Sequence, residues 1–404
     1  MVNKQHNIKQ QGKTAAFVAA AVALLLELGL CRGIEMKGIS YTAWQPDALL
    51  TENSDASLAT ARLDGCNWVA ICVWWFQDNL DSISIGPDYT RYSATPASVV
   101  HAINRCHELG MKVMLKPMVD CRDGTWRGFI KPSYNWFVEY TNFVNFWAEL
   151  AEANSVEVFC AGCELRDTVS WSTSWRSVIQ SVRTRYSGLL TYAANHGNES
   201  NINWWGDLDY IGIDAYYSLT NKDNPSLGEL RTAWNDHADA IEVWLNTHWP
   251  DMAVMFTEVG YQSVDGTNQT PWWTDPGAGA IDMNEQAECY EALLSQCKQR
   301  GWWLGAFWWN WETDPDAGGE ADPYWTPQNK FAEETLRDYY KTVSGDFDDD
   351  RDVDFLDVMF QAGYWLESAV IGDPDLNGDR KVNLQDFAML SRDWAISQKA
   401  NNVH

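Results

Sequence analysis

A chain of 404 residues, 46% of them apolar, can bury a large core and fits one big domain plus a small one, which sets disorder aside. Its formal charge of -27 at pH 7, with no basic patch, excludes nucleic acid and anionic membrane surfaces as partners. The unusual residue is tryptophan, with 24 copies, several in doublets; indole is costly to expose without use, so some are expected to line a binding surface.

The chain opens with the basic stretch "MVNKQHNIKQQGK" and the apolar run "TAAFVAAAVALLL". That order is the order of an export signal, assigned to residues 1–31. The apolar run is short for a membrane span, and Leu30 directly before Cys31 is a poor fit to a lipoprotein box. The protein is therefore expected to be secreted or held at the cell surface. Its 9 cysteines are an odd count, and in an exported protein some can pair, in a pattern that sequence does not assign. Cys160 and Cys163 are not accompanied by a second pair at zinc-ligand spacing, and packing is the expectation for both.

From here short apolar runs alternate with amphipathic helical stretches, the rhythm of βα units. Eight strands are predicted, at 36–41, 67–74, 112–118, 156–162, 189–194, 209–216, 253–259 and 304–311. Between them, stretches such as "SVVHAINRCHELG" carry apolar residues at three- and four-residue spacing and end on glycine or asparagine. Eight such units predict an α/β fold, a closed (β/α)8 barrel over residues 36–341. A doubly wound open sheet is the alternative, but it lacks its Gly-rich phosphate loop here.

Catalytic groups of such barrels sit at the carboxyl ends of the strands. Glu164 closes the fourth predicted strand and Glu258 the seventh, and those strands face each other across the mouth. Two carboxylates meeting near the axis, with tryptophan around them, are the equipment for cleaving a glycosidic bond. Tyr216 can donate a hydrogen bond to Glu258. Lys116 and Asn195, at the predicted ends of strands three and five, can bind sugar hydroxyls, and Trp74, Trp75, Trp309 and Trp311 can stack on pyranose faces. About half of these tryptophans are expected in the core instead, since strand residues alternate inward and outward.

The segments "KGISYTAW", "VFCAGCELRD", "DYIGIDAYYSL", "FTEVGYQS" and "LGAFWWNWETDP" resemble the strand ends of glycoside hydrolase family 113, retaining β-mannanases of clan A. The resemblance implies that Glu164 is the acid/base and Glu258 the nucleophile, with no cofactor for catalysis. Repulsion between the two carboxylates is expected to keep Glu164 protonated near neutral pH.

Composition changes at Gly345, where an acidic loop begins that recurs 29 residues on. The first loop places Asp346, Asp348, Asp350, Asp354 and Asp357 at positions one, three, five, nine and twelve; the second places Asp375, Asn377, Asp379, Asn383 and Asp386 there. With the position-seven carbonyls of Asp352 and Lys381, each loop offers the oxygens that calcium requires. Residues 345–397 are thus predicted to be a small all-α calcium-binding domain. The duplicated loop resembles the type I dockerin module, which implies a cohesin-type scaffold partner. The expected function is an exported, retaining endo-β-mannanase acting on a β-linked polysaccharide. The alternatives are the same machinery on another β-glycan such as a glucan, or a non-catalytic carbohydrate-binding barrel.

Overall fold

The structure, a computed structural model, describes residues 34–273, 279–341, 353, 355–365, 381–388 and 390–391. Ile34–Tyr340 is one compact unit. Its strands are β1 (Met36–Thr42), β2 (Trp68–Gln77), β3 (Lys112–Cys121), β4 (Val158–Cys163), β5 (Leu189–Asn195), β6 (Ile211–Asp214), β7 (Val254–Val259) and β8 (Trp303–Glu312). They pair in chain order, all parallel, and β8 closes on β1. The sheet is therefore the predicted closed barrel and not the open alternative. Two strands run well past their predicted ends, β2 to Gln77 and β3 to Cys121, while β6 is confined to four residues.

Helices α1 (Glu52–Leu63), α2 (Pro96–Glu108), α3 (Tyr134–Ala153), α4 (Ser172–Arg183), α5 (Leu227–His248), α6 (Met283–Cys297) and α7 (Phe331–Tyr340) return the chain between strands. The link from β5 to β6 is the exception, carrying only short 3-10 turns with Trp204 and Trp205 buried beside them. Helix starts are fixed by side-chain caps: Thr51, Thr95, Ser133 and Ser226 each accept a backbone N–H, and Ser226 with Glu229 forms a reciprocal capping box. Among the described residues no helix is long and apolar enough to cross a membrane.

Period-two alternation divides the core into two shells. On β2, Trp68, Ala70, Cys72, Trp74 and Phe76 fill the barrel interior, while Val69, Ile71 and Val73 face the helices. Most tryptophan goes to the outer shell, where Trp136, Trp147, Trp175, Trp204, Trp205, Trp234, Trp308 and Trp311 are fully buried. The tryptophan count thus measures helix-to-barrel packing more than binding surface.

The described residues beyond Tyr340 belong to a second unit. They include helix α8 (Phe355–Gly363) and a helical stretch at 384–388. Val353 and Val382, at the same place in the two repeats, are both wholly buried, as are Asp357 and Asp386 at position twelve. The Asp386 carboxylate accepts the Asn383 N–H at 2.8 Å. The other predicted calcium ligands, Asp346, Asp348, Asp350, Asp352, Asp354, Asp375, Asn377 and Asp379, lie outside the described residues, as does the predicted export signal.

Candidate active site

Strict alternation would point Glu258 the wrong way. Val254 and Phe256 face the helices, so the next even-numbered residue of β7 should join them. Instead the β7–β8 register shifts between Phe256 and Val259. Val259 takes the outward position, and both Thr257 and Glu258 face the interior, where each meets Lys116 or Asp214. A second irregularity, between Cys160 and Cys163 in the β4–β5 pairing, brings Cys163 into the inner shell. Glu164 follows it with a positive φ of 53°. Bulges that re-aim side chains are frequent beside active sites, and here two of them sit where the paired carboxylates emerge. Gly260 completes the exit from β7: a Cβ there would stand 2.4 Å from the Trp309 carbonyl oxygen.

Beneath the carboxylates lies a fully buried ammonium. Lys116 Nζ donates to Glu258 Oε1 at 2.7 Å, to Asp214 Oδ1 at 2.9 Å and to the Thr257 carbonyl at 3.3 Å. Burial opposes the lysine's charge, but Asp214 and its other anionic neighbours overcome that and hold its pKa well above the ordinary value. Asp214 also accepts from Thr257 Oγ1 at 2.7 Å and from Cys163 Sγ at 3.4 Å. Even with this lysine beside it, burial and the neighbouring Glu258 push its carboxyl up to about 6. Tyr216 donates to the other Glu258 oxygen at 3.0 Å.

Glu164 has different surroundings. Asn195 Nδ2 donates to Oε1 at 3.1 Å and Trp126 Nε1 to Oε2 at 3.3 Å. Burial, and then the negative charge of Asp214, raise its pKa, more than these hydrogen bonds and Arg127 lower it. The cause thus differs from the expected repulsion by Glu258. Side-chain atoms of Cys163, Glu164 and Asp214 lie within 4.8 Å of one another, and the positive charge next to Asp214 is the Lys116 ammonium.

Glu164 and Glu258 line one cavity of about 870 Å³, with Asn195, Tyr216 and Trp309 on its walls. Other predicted sugar contacts fall elsewhere. Lys116 is not at a strand end, because β3 continues to Cys121; it points inward halfway along the strand and is spent on the carboxylates. Trp75 packs on Phe143, Phe146 and Trp147 of α3, on the outward face of β2. Trp311 is likewise outward and donates its N–H to Ser57. Trp74 is inward but nearly covered, packed against Trp44, Tyr92 and Trp309.

The cavity also uses residues that the sequence pattern did not single out: Trp44, Trp126, Arg127, His196, Asn310 and Glu312. Glu312 accepts from Trp44 Nε1 at 2.9 Å and from Asn310 Nδ2 at 2.6 Å. Burial lowers the His196 pKa to about 4, so the ring is a neutral wall that packs on Trp272 at a tilt of 30°. Asp214 carried the same signal as Glu258, a lone carboxylate in an apolar strand. Trp126 and Arg127 stand in a loop after β3, where no such contrast marks them.

The profile of glycoside hydrolase family 113 matches residues 41–330. No curated protein sequence gives a significant match. Among solved structures, a complex of a family 113 β-1,4-mannanase superposes with a TM-score of 0.68 at 27% identity, covering 76% of this chain and 98% of that one. The family 113 β-mannanase AaManA from Alicyclobacillus acidocaldarius, in complex with ManMIm, gives 0.68 at 28% identity, covering 76% and 97%. A β-glucuronidase from Ruminococcus gnavus, with a TM-score of 0.53 at 13% identity over 77% of this chain and 51% of its own, shares the fold alone.

Proposed function

Since this chain belongs to glycoside hydrolase family 113 and is a glycoside hydrolase, we propose that it is a retaining endo-β-mannanase with Glu258 as nucleophile and Glu164 as acid/base. The observation that carries the assignment is the asymmetry of the two glutamates. One carboxylate faces an ammonium at 2.7 Å. The other has no cation at salt-bridge distance among the described residues, and its pKa is raised.

In the first step a Glu258 oxygen bonds to the anomeric carbon as the glycosidic C–O bond breaks, and the Glu164 proton passes to the leaving oxygen. In the second, Glu164 takes a proton from water, the water oxygen bonds to the anomeric carbon, and the ester to Glu258 is released. Tyr216 and Lys116 hold one Glu258 oxygen each. Mannan is the substrate favoured by the family 113 neighbours, which are β-mannanases.

The rest of the chain supports a wider proposal: export through residues 1–31, and attachment to a cohesin-type scaffold through a calcium-folded dockerin-like module at 345–397. The duplicated acidic spacing and the matched burial of Val353 with Val382 and of Asp357 with Asp386 support that reading. Glu258→Ala should abolish release of reducing sugar from mannan, and azide should restore cleavage of the chain in part, with a glycosyl azide of inverted configuration as the product. Near wild-type hydrolysis by that variant would remove Glu258 from the role. Preference for β-glucan over mannan would overturn the substrate.

A further inference from the structure

The geometry points to Arg127 as the residue that binds the hydroxyl on C2 of the sugar undergoing cleavage, an inference that rests on Glu258 being the nucleophile. Arg127 is a wall residue of the cavity, and its side chain is only 13% exposed. One edge of the guanidinium is anchored: Nε and Nη2 lie 2.8 and 2.7 Å from Asp120 Oδ1. That carboxylate neutralises the charge and fixes the plane. Among the described residues the other edge, Nη1, meets only sulfur, Met118 Sδ at 3.0 Å and Cys163 Sγ at 3.3 Å. Thioether and thiol are weak acceptors. A buried guanidinium nitrogen left on two sulfurs is a donor placed for a better acceptor, and the residue that carries it lines the cavity.

Its location selects which acceptor. Cys163 Sγ, which Nη1 touches, is 4.0 Å from Glu258 Oε1, the oxygen on the lysine side. The preceding residue, Trp126, holds Glu164. Arg127 therefore stands beside the anomeric centre, next to the carboxylates that would act on it. That carbon has two ring neighbours, the ring oxygen and C2. The ring oxygen gathers positive charge in the oxocarbenium-like transition state, so a guanidinium is repelled from that side. The C2 hydroxyl can accept its N–H, and can in turn donate to the Glu258 carboxylate. The mannose configuration is set at C2, so this contact would help decide which sugar is accepted.

The test compares 4-nitrophenyl β-mannobioside with its analogue lacking the 2-hydroxyl on the sugar next to nitrophenol. For Arg127→Met, kcat/KM relative to wild type should fall about 10- to 100-fold on the parent and stay within about 3-fold on the 2-deoxy analogue. Taking each ratio against wild type cancels the intrinsic reactivity of the analogue. Arg127→Lys should recover part of the parent rate. Equal losses on both substrates in the folded variants would overturn the inference. Independently of these variants, a crystal of Glu258→Ala soaked with mannobiose should show O2 of the bound sugar within about 3.2 Å of an Arg127 nitrogen. O2 held by other groups would overturn it as well. Wild-type enzyme inactive on the parent would instead sink the mannanase reading.

Discussion

Replacing Lys116 with Met keeps most of the stem and deletes the buried charge that lies 2.7 and 2.9 Å from two carboxylates. Stranding a buried ion-pair partner costs about 3–5 kcal/mol, unless a proton takes the place of the cation. Asp214 is the group to accept it, because its carboxyl already stands at about 6 against an ordinary 3.8. A folded value above the unfolded one means proton uptake on folding, so this contribution is present at low pH and is lost as pH rises through the folded value. In the wild type that loss is complete just above pH 6. Without Lys116 the folded value climbs further, and the loss continues at about 1.4 kcal/mol per pH unit. Lys116 itself stays charged over this range in the folded protein. Urea denaturation followed by tryptophan fluorescence should therefore show a modest gap between Lys116→Met and wild type at pH 5–6. That gap should widen by about 2–3 kcal/mol by pH 8. A gap that is flat with pH, or below about 1 kcal/mol at pH 8, would refute the view that one ammonium supports both carboxylates.

Asn195→Ala removes a hydrogen bond that favours ionised Glu164, so the basic limb of the kcat/KM profile should move to higher pH, by up to about one unit; a shift to lower pH would contradict the assignment of Glu164 as the acid. Glu164→Gln should lose most of its turnover of mannan but retain the first step on a dinitrophenyl glycoside, whose leaving group needs no proton, read as a burst of dinitrophenol. Chelating calcium should increase hydrogen exchange in residues 345–397 while hydrolysis of soluble mannan continues, because Ile34–Tyr340 is a compact unit with its own core; parallel loss of activity would contradict that division.

The barrel was legible because eight apolar runs recur at a regular spacing, and each run ends where a loop must begin. The two glutamates were legible for a related reason: a carboxylate in such a run is too costly to bury without a purpose. Direction was not legible. An apolar run that ends at 118 puts Lys116 near the mouth, and the three further residues of β3 put it inside. Trp75 and Trp311 are as aromatic as Trp309, but which of them faces the cavity depends on strand phase, and phase changes at bulges that leave no mark in composition. Glu258 itself faces inward only because the register slips beside it. Arg127 and Trp126 come from a loop whose path is fixed by contacts with Asp120 and Glu164, far apart from it in character and not in any periodic pattern.

The same geometry bears on how one carboxyl can serve as acid and then as base. Were Glu164 kept protonated mainly by the charge of Glu258, it would become a weak base as soon as that charge was lost to the ester. In this site its pKa is raised first by burial and next by Asp214, neither of which is consumed in the first step. In the proposed mechanism, esterifying Glu258 would remove the neighbour that pushes Asp214 up, so Asp214 would ionise more fully against Lys116. A more negative Asp214 supports the basicity of Glu164 when water must be deprotonated. On the proposed mechanism Asp214 would act on both steps without touching the sugar, and Asp214→Asn should slow release of the glycosyl-enzyme more than its formation. A pre-steady-state burst larger than that of wild type on an activated mannoside would show it, and an unchanged burst would place Asp214 in the scaffold alone.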